Sequence, residues 1–223
     1  MAASIFNTTY LDFHNHRMKH TQDDEIMEIV SIHPGKDRER EYFTAGMHPW
    51  WTDEPINDEQ RQVLTHLLNE NHCLAMGEIG LDNLKGPQME KQMDVLRSQL
   101  SLASELDKPV IIHCVRAYDQ LIHIKKEFPE INKWCVHGYG RHAILAQQLI
   151  DHGFYLSIMP TVKDDRYKEL FSSLPHDRLF LETDSMPDVS IKDVYSRVSK
   201  ATGIDMTTLS QQMNNNAKEF FSK

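Results

Sequence analysis

Short apolar runs alternate with longer amphipathic stretches along almost the whole chain. The runs lie at 10–13, 26–32, 43–47, 74–77, 110–114, 134–136, 155–159 and 179–181. Their lengths and their content of Val, Ile and aromatic residues predict strands buried on both faces, as in a parallel sheet. Between them, 57–71 places Val63, Leu64, Leu67 and Leu68 on one stripe. The segment 88–106 does the same with Met89, Met93, Leu96, Leu100 and Ala103, at helical spacings of three and four. The segment 143–152 stops at Gly153, and 206–221 reads as a terminal helix. Strands alternating with helices in this way predict an α/β fold, a TIM-like (β/α)8 barrel. An open doubly wound sheet is the runner-up, but no glycine-rich phosphate turn follows any strand. No repeat, linker or low-complexity stretch divides the chain, which predicts a single domain over 1–223. The first units are short. The interval 14–48 must hold two of them, where each later unit takes about 30 residues. A missing or one-turn helix is expected near 17–24 or 36–41, leaving the barrel abbreviated at its start.

The composition is that of an ordinary globular protein: 223 residues, 40% hydrophobic and 26% charged. Disordered, collagenous and coiled-coil classes are excluded, and the chain is long enough to bury a core without staples. No apolar run approaches the roughly 18 residues of a membrane span. Residues 1–10 lack the basic and apolar regions of a secretory signal. The three cysteines, Cys73, Cys114 and Cys135, each lie in or beside an apolar run. They predict buried reduced thiols rather than a disulfide framework, and a cytoplasmic protein with no membrane association. The formal charge of −9, from 24 basic and 33 acidic residues, argues against holding nucleic acid by phosphate neutralisation alone. It is compatible with an enzyme that meets phosphate through bound metal ions.

The unusual count is 13 histidines. Six of them, His14, His16, His33, His48, His113 and His137, fall at or just past the end of a candidate strand. Eight strand ends supply roughly 20 such places, and chance would fill about one of them at this histidine frequency. In a barrel those places form one face, the one on which active sites are built.

Several short motifs carry candidate chemistry. In Asp12-Phe13-His14-Asn15-His16, residues two apart share a face of a strand. Asp12, His14 and His16 are therefore expected to project together, with the imidazoles close enough to share a metal ion. Met76-Gly77-Glu78-Ile79-Gly80-Leu81-Asp82 puts a carboxylate at the end of an apolar strand, a costly place unless it is paired or metal-bound. Val110-Ile111-Ile112-His113 and Trp134-Cys135-Val136-His137 each end a strand in histidine. Leu181-Glu182-Thr183-Asp184-Ser185 ends the last strand in two carboxylates that share a face. Taken singly, each has a plain structural alternative: a rim carboxylate, or a core histidine bonded to backbone. Jointly they supply four histidines, a Glu and an Asp at strand ends, donors suited to Zn²⁺, Mn²⁺ or Fe²⁺. Two divalent ions would outweigh the −2 of Glu78 and Asp184 and so attract an anionic substrate.

The ordered set Asp-x-His-x-His, Gly-x-His-Pro, Gly-Glu-x-Gly-Leu-Asp, strand-His, strand-His-Gly and Glu-Thr-Asp-Ser resembles the TatD family of metal-dependent deoxyribonucleases, which are amidohydrolase-like barrels. The resemblance runs over 10–221, and its most diagnostic pieces are 77–82 and 182–185. It implies a site for two divalent ions, Mg²⁺, Mn²⁺ or Zn²⁺. His14 and His16 would ligate one ion together with Asp184, His113 and His137 would ligate the other, and Glu78 would bridge. His48, in Gly46-Met47-His48-Pro49, matches a family histidine near the substrate phosphate. Arg116 approximates the arginine that follows the strand-five histidine. Three departures mark a trimmed variant. Arg116 stands one residue further from His113 than the family arginine does. His137 is followed by Gly138-Tyr139 rather than Cys-Phe. Ser185-Met186-Pro187-Asp188 leads almost directly into the next helix, without the family's long loop.

The resemblance implies metal-assisted hydrolysis of phosphodiester bonds, with DNA ends or single strands as substrate. A water held between the ions would attack phosphorus, and Asp184, with Glu78, would be the catalytic carboxylates, Asp184 as general base. Trp50 and Trp51, after His48-Pro49, either stack bases or cap the barrel mouth by packing. His33 has no counterpart among the family's ligands and is expected to be structural. Two other readings stay open: hydrolysis of a small phosphoester, amide or lactone, and a degenerate metal-binding member. Small-ester and amide hydrolases of this scaffold bridge their metals with Lys. No Lys ends a candidate strand here, and Glu78 takes that place.

Overall fold

The computed structural model describes residues 5–17, 22–35 and 40–222. Eight strands follow one another around a single sheet, each parallel to the last. They are β1 (Tyr10–Asn15), β2 (Ile26–Ile32), β3 (Tyr42–Ala45), β4 (Cys73–Asp82), β5 (Val110–Val115), β6 (Trp134–Tyr139), β7 (Phe154–Ile158) and β8 (Leu179–Leu181). The α-helices among the described residues are α1 (Asp58–Leu68), α2 (Met89–Glu105), α3 (Tyr118–Lys125), α4 (Ala143–Asp151), α5 (Asp164–Ser173), α6 (Ile191–Thr202) and α7 (Met206–Phe220). The sheet comes back on itself through Asn15 and Asp184. Asp184 N–H donates to the His14 carbonyl at 2.9 Å, and His16 N–H donates to the Asp184 carbonyl at 3.1 Å. The architecture is the expected (β/α)8 barrel, nearly closed.

No described residue between β1 and β3 is helical, as the short early spacing predicts. Positions 18–21 and 36–39 of the two intervals named for that deficit lie outside the described residues. The long amphipathic segments become helices for the reasons their sequences suggest. Asn57 caps α1 in a reciprocal pair with Gln60, and Asp205 caps α7. Gly203, at φ 77°, ends α6 in the left-handed conformation that suits glycine. Helices α3 and α5, of 8 and 10 residues, are too short for periodicity alone to separate them from loop.

The core has two parts. One lies between the sheet and its helices, with Val110, Ile112, Trp134, Val136 and Leu156 packed against Leu96, Leu100, Leu121 and Leu149. The other takes the alternate strand positions: Leu11, Phe13, Met27, Ile29, Ala75, Ile111, Cys135, Tyr155 and Phe180. These fill the barrel, and Phe6, Phe220 and Phe221 join them. The Phe13 and Phe180 rings stack at 3.9 Å between centroids. Strand alternation carries this interior directly to the site. Two residues beyond Ile111, Cys135 and Phe180 stand His113, His137 and Glu182.

Candidate metal centre

Glu78 is the hub. It is 3% exposed, and five histidines surround its carboxylate. Oε1 lies 2.7 Å from His137 Nε2, 2.8 Å from His113 Nδ1 and 3.0 Å from His48 Nε2. Oε2 lies 3.0 Å from His16 Nε2 and 3.6 Å from His14 Nε2. Its backbone N–H donates to Ser31 Oγ on β2 at 3.2 Å. Strand β4 does not stop at the expected 77 but runs through Glu78 to Asp82, so the carboxylate projects from a paired strand rather than from a loop. Gly80 is what lets β4 lie so close to β5. A Cβ there would come within 1.9 Å of the His113 carbonyl oxygen.

Asp184 adjoins the hub, 3.7 Å from His16 Nε2. It holds a left-handed backbone, φ 51°, which the β1–β8 bridge enforces at a modest conformational cost. Four clusters of metal-competent groups meet here: His14, Glu78 and His137; His14, His16 and Asp184; His48, Glu78 and His113; His137, Glu182 and Asp184. All six residues of the expected ligand set therefore stand at one end of the barrel, in adjoining clusters.

The electrostatics suit cations. Burial, reinforced by the His137 charge, pushes His14 down to about 3, so its imidazole is neutral. Burial alone would raise Glu78, but His137 and hydrogen bonds from His113, His137 and His14 outweigh it and hold the carboxyl well below its usual range. Burial also opposes charge on His137, yet Glu78 and Glu182 raise it well above the usual imidazole value. Glu182 Oε2 is a buried acceptor without a hydrogen-bond partner among the described residues. Glu78 Oε2 has His16 Nε2 and His14 Nε2 turned to it at 3.0 and 3.6 Å, and those two nitrogens face each other at 3.2 Å. A buried acceptor left unmatched, beside imidazole nitrogens turned toward one another and toward a shared carboxylate, is a donor arrangement that suits a divalent cation. The residues fit divalent cations.

The structure changes the part expected of Asp12 and gives each remaining residue its surroundings. Asp12 does not join His14 and His16. It accepts from Thr183 N–H at 2.9 Å and from the Thr183 hydroxyl at 2.5 Å, and it is in none of the four clusters. The β1–β2 register shifts between Asp12 and Asn15, which breaks the strict alternation. Burial raises Asp12 to about 7. His48, expected near a substrate phosphate, sits inside the histidine cage. Arg116 is exposed at φ 52° and makes no hydrogen bond or ion pair among the described residues. Trp50 and Trp51 separate. The Trp50 indole N–H is bound to Asp82 and its ring lies against His48 and His113. Trp51 is 52% exposed beside His48 and His33. His33 bonds the Pro34 carbonyl at 2.9 Å and belongs to no cluster.

Two carboxylates escaped the sequence reading of the site. Asp82 Oδ2 is 3.0 Å from His113 Nε2. Glu182 Oε1 is 3.5 Å from His137 Nδ1 and also accepts Gly138 N–H at 2.7 Å. Each of these histidines thus has one nitrogen toward Glu78 and the other toward a second carboxylate. The signal was the pairing of Glu78 with Asp82 and of Glu182 with Asp184 inside the two motifs that carry candidate chemistry. The three cysteines are free and buried, as expected.

A 3'-5' ssDNA/RNA exonuclease TatD of Erwinia tasmaniensis is 32% identical over 150 residues, covering 65% of this chain and 58% of its own. An uncharacterized metal-dependent hydrolase of Haemophilus influenzae is 31% identical over 158 residues, 67% of this chain and 60% of its own. The chain spans about three fifths of the length of these curated relatives. In fold, it superposes on the crystal structure of the TatD homologue YjjV of Escherichia coli with a TM-score of 0.77, covering 96% of this chain and 98% of that one at 21% identity. The model of the family described as TatD related DNase matches residues 16–222, from the second histidine of the hub to the last helix, and the chain belongs to that family.

Proposed function

We propose that the chain is a single-domain, cytoplasmic, metal-dependent phosphodiesterase that acts on DNA ends or short single strands. The observation that carries this reading is the convergence of five histidines and Asp184 on one buried carboxylate, Glu78, at the end of the barrel. His14, His16 and Asp184 would hold one divalent ion, His113 and His137 a second, and Glu78 would bridge them. Such ions, when bound, supply Lewis acidity toward phosphate oxygens and toward an attacking water.

The chain's own groups do the rest. Asp184, at 27% side-chain exposure, is open enough to accept the proton of the attacking water. Glu78, ionised and buried, keeps the surrounding imidazoles facing inward. Arg116 lies exposed beyond β5, with no ion pair among the described residues to compete with a phosphate, and His48 would steady the scissile group from within the cage. Trp51 offers an exposed ring face beside His48, where a base of a single strand could stack.

A second reading, hydrolysis of a small phosphoester, is favoured by one observation. Only 185–190 separate Asp184 from α6, and Arg17 ties this segment down through the Val189 carbonyl at 2.7 Å, so little of the rim is available to a long polymer. The test is hydrolysis by the metal-loaded chain of a panel of single- and double-stranded oligonucleotides and small phosphoesters, with chelator controls. Turnover of oligonucleotides supports the first reading. Turnover of small esters alone supports the second. No turnover by a metal-loaded chain would leave a degenerate member.

A further inference from the structure

Asp82 ends β4 and is 4% exposed. All of its polar atoms are engaged. Oδ2 accepts from His113 Nε2 at 3.0 Å and from the Trp50 indole N–H at 2.7 Å. Oδ1 accepts the backbone N–H groups of Leu84 and Lys85 at 2.8 and 3.1 Å. Its own N–H donates to Gln92 Oε1 at 2.7 Å, and Gln92 Nε2 returns a hydrogen bond to the Asp82 carbonyl at 2.9 Å. Four donors and a buried glutamine leave the carboxylate no freedom to swing. It presents a fixed acceptor to one nitrogen of His113.

An imidazole has two nitrogens, and the hydrogen bond made by one decides the state of the other. An Nε2–H donated to Asp82 would leave the lone pair of a neutral His113 on Nδ1, the atom 2.8 Å from Glu78 Oε1, where a divalent ion would take it in place of the hydrogen bond to Glu78. Asp82 itself is in none of the metal-competent clusters. We propose that Asp82 is a positioning residue that selects Nδ1 of His113 as the nitrogen offered to a divalent ion, with Trp50 holding Asp82 in place. The inference rests on the metal-dependent reading above and adds to it the device that sets one ligand.

The substitution Asp82→Asn discriminates. An amide has one acceptor oxygen where the aspartate uses two. Held by the Leu84 and Lys85 N–H groups, that oxygen would leave the NH₂ facing His113 Nε2. The imidazole must then accept there and carry its proton on Nδ1, the wrong tautomer for a ligand. The measurement is calorimetric titration of the metal-free chain, residues 1–223, with Mn²⁺. Asp82→Asn should bind Mn²⁺ about 10–100-fold more weakly at one site, while Asp188→Asn, an exposed acid outside the cage, should leave it unchanged. Trp50→Phe keeps an aromatic ring at the position and removes the indole N–H that holds Asp82, so it tests the same relay if Asp82→Asn folds poorly; it should weaken binding by a few-fold. Because Asp82 acts through His113, adding Asp82→Asn to His113→Gln should cost little further affinity. Wild-type affinity in both Asp82→Asn and Trp50→Phe, or full additivity with His113→Gln, would overturn the assignment. Failure of the unaltered chain to bind Mn²⁺ would overturn the metal reading itself, and this assignment with it.

Discussion

His14 and His16, two residues apart at the end of β1, bring their Nε2 atoms to 3.2 Å from each other, and the Glu78 oxygen nearest to both belongs to a strand three places away in the barrel. Two nitrogens this close can share one proton or one cation. Burial keeps His14 neutral, so it has a lone pair to give to either.

Replacing His16 by Gln should therefore remove one metal site while leaving the fold intact, since His16 is the more exposed of the pair. The expected result is a loss of more than about 100-fold in affinity at that site, read by titration with Mn²⁺. The thermal midpoint of the metal-free protein should stay near that of the wild type. Two wild-type sites in His16→Gln would contradict the proposed ligand set.

Asp184→Asn should lower turnover by about 10²–10⁴-fold or more, because the amide keeps the shape but lacks the basic lone pair. The effect belongs in kcat, where proton transfer occurs. His33→Ala, on the same rim but outside the cage, should keep most of the activity. Near-wild-type turnover by Asp184→Asn at saturating metal would rule out its role as general base.

Trp51→Ala should raise the KM for an oligonucleotide, with about 1–3 kcal/mol lost if one base stacks on the ring. Hydrolysis of bis(p-nitrophenyl) phosphate, which has no nucleobase, should change little. Equal losses on both substrates would show that Trp51 matters only for packing against His48.

Metal binding at pH 7 should release protons. Glu78 and Glu182 raise His137 well above the ordinary imidazole value, so the metal-free chain carries a proton that a ligand histidine must give up. In stability terms, a raised histidine contributes fully below its unfolded value of 6.5, and that contribution is lost as the pH rises through the folded value. The binding enthalpy should therefore vary with the ionisation enthalpy of the buffer. A flat dependence would mean that His137 is already neutral.

Residue patterning made most of the architecture legible. Strand β2 has the expected bounds 26–32, β8 the expected 179–181, and α2 lies within the expected 88–106. These segments are long or bounded enough for period two or period 3.6 to show. Strands β4 and β6 run further than their apolar runs, to Asp82 and Tyr139. Their ends carry Glu, Asp, His and Gly, which a hydrophobicity pattern reads as loop. Helix α3 has only eight residues, too few for a stripe to declare itself.

For the site, the sequence by itself determined which residues stand at strand ends, because strand period and the parallel α/β alternation are local properties of the chain. It could not determine which atoms meet. The register shift in β1 turns Asp12 to Thr183 and away from His14. The close approach at Gly80 sets Glu78 and Asp82 on the two nitrogens of His113. The β1–β8 bridge brings Asp184 to His16. Each of these depends on how one strand seats against another across the barrel, and pairing register and backbone approach are set by packing between segments distant in the chain.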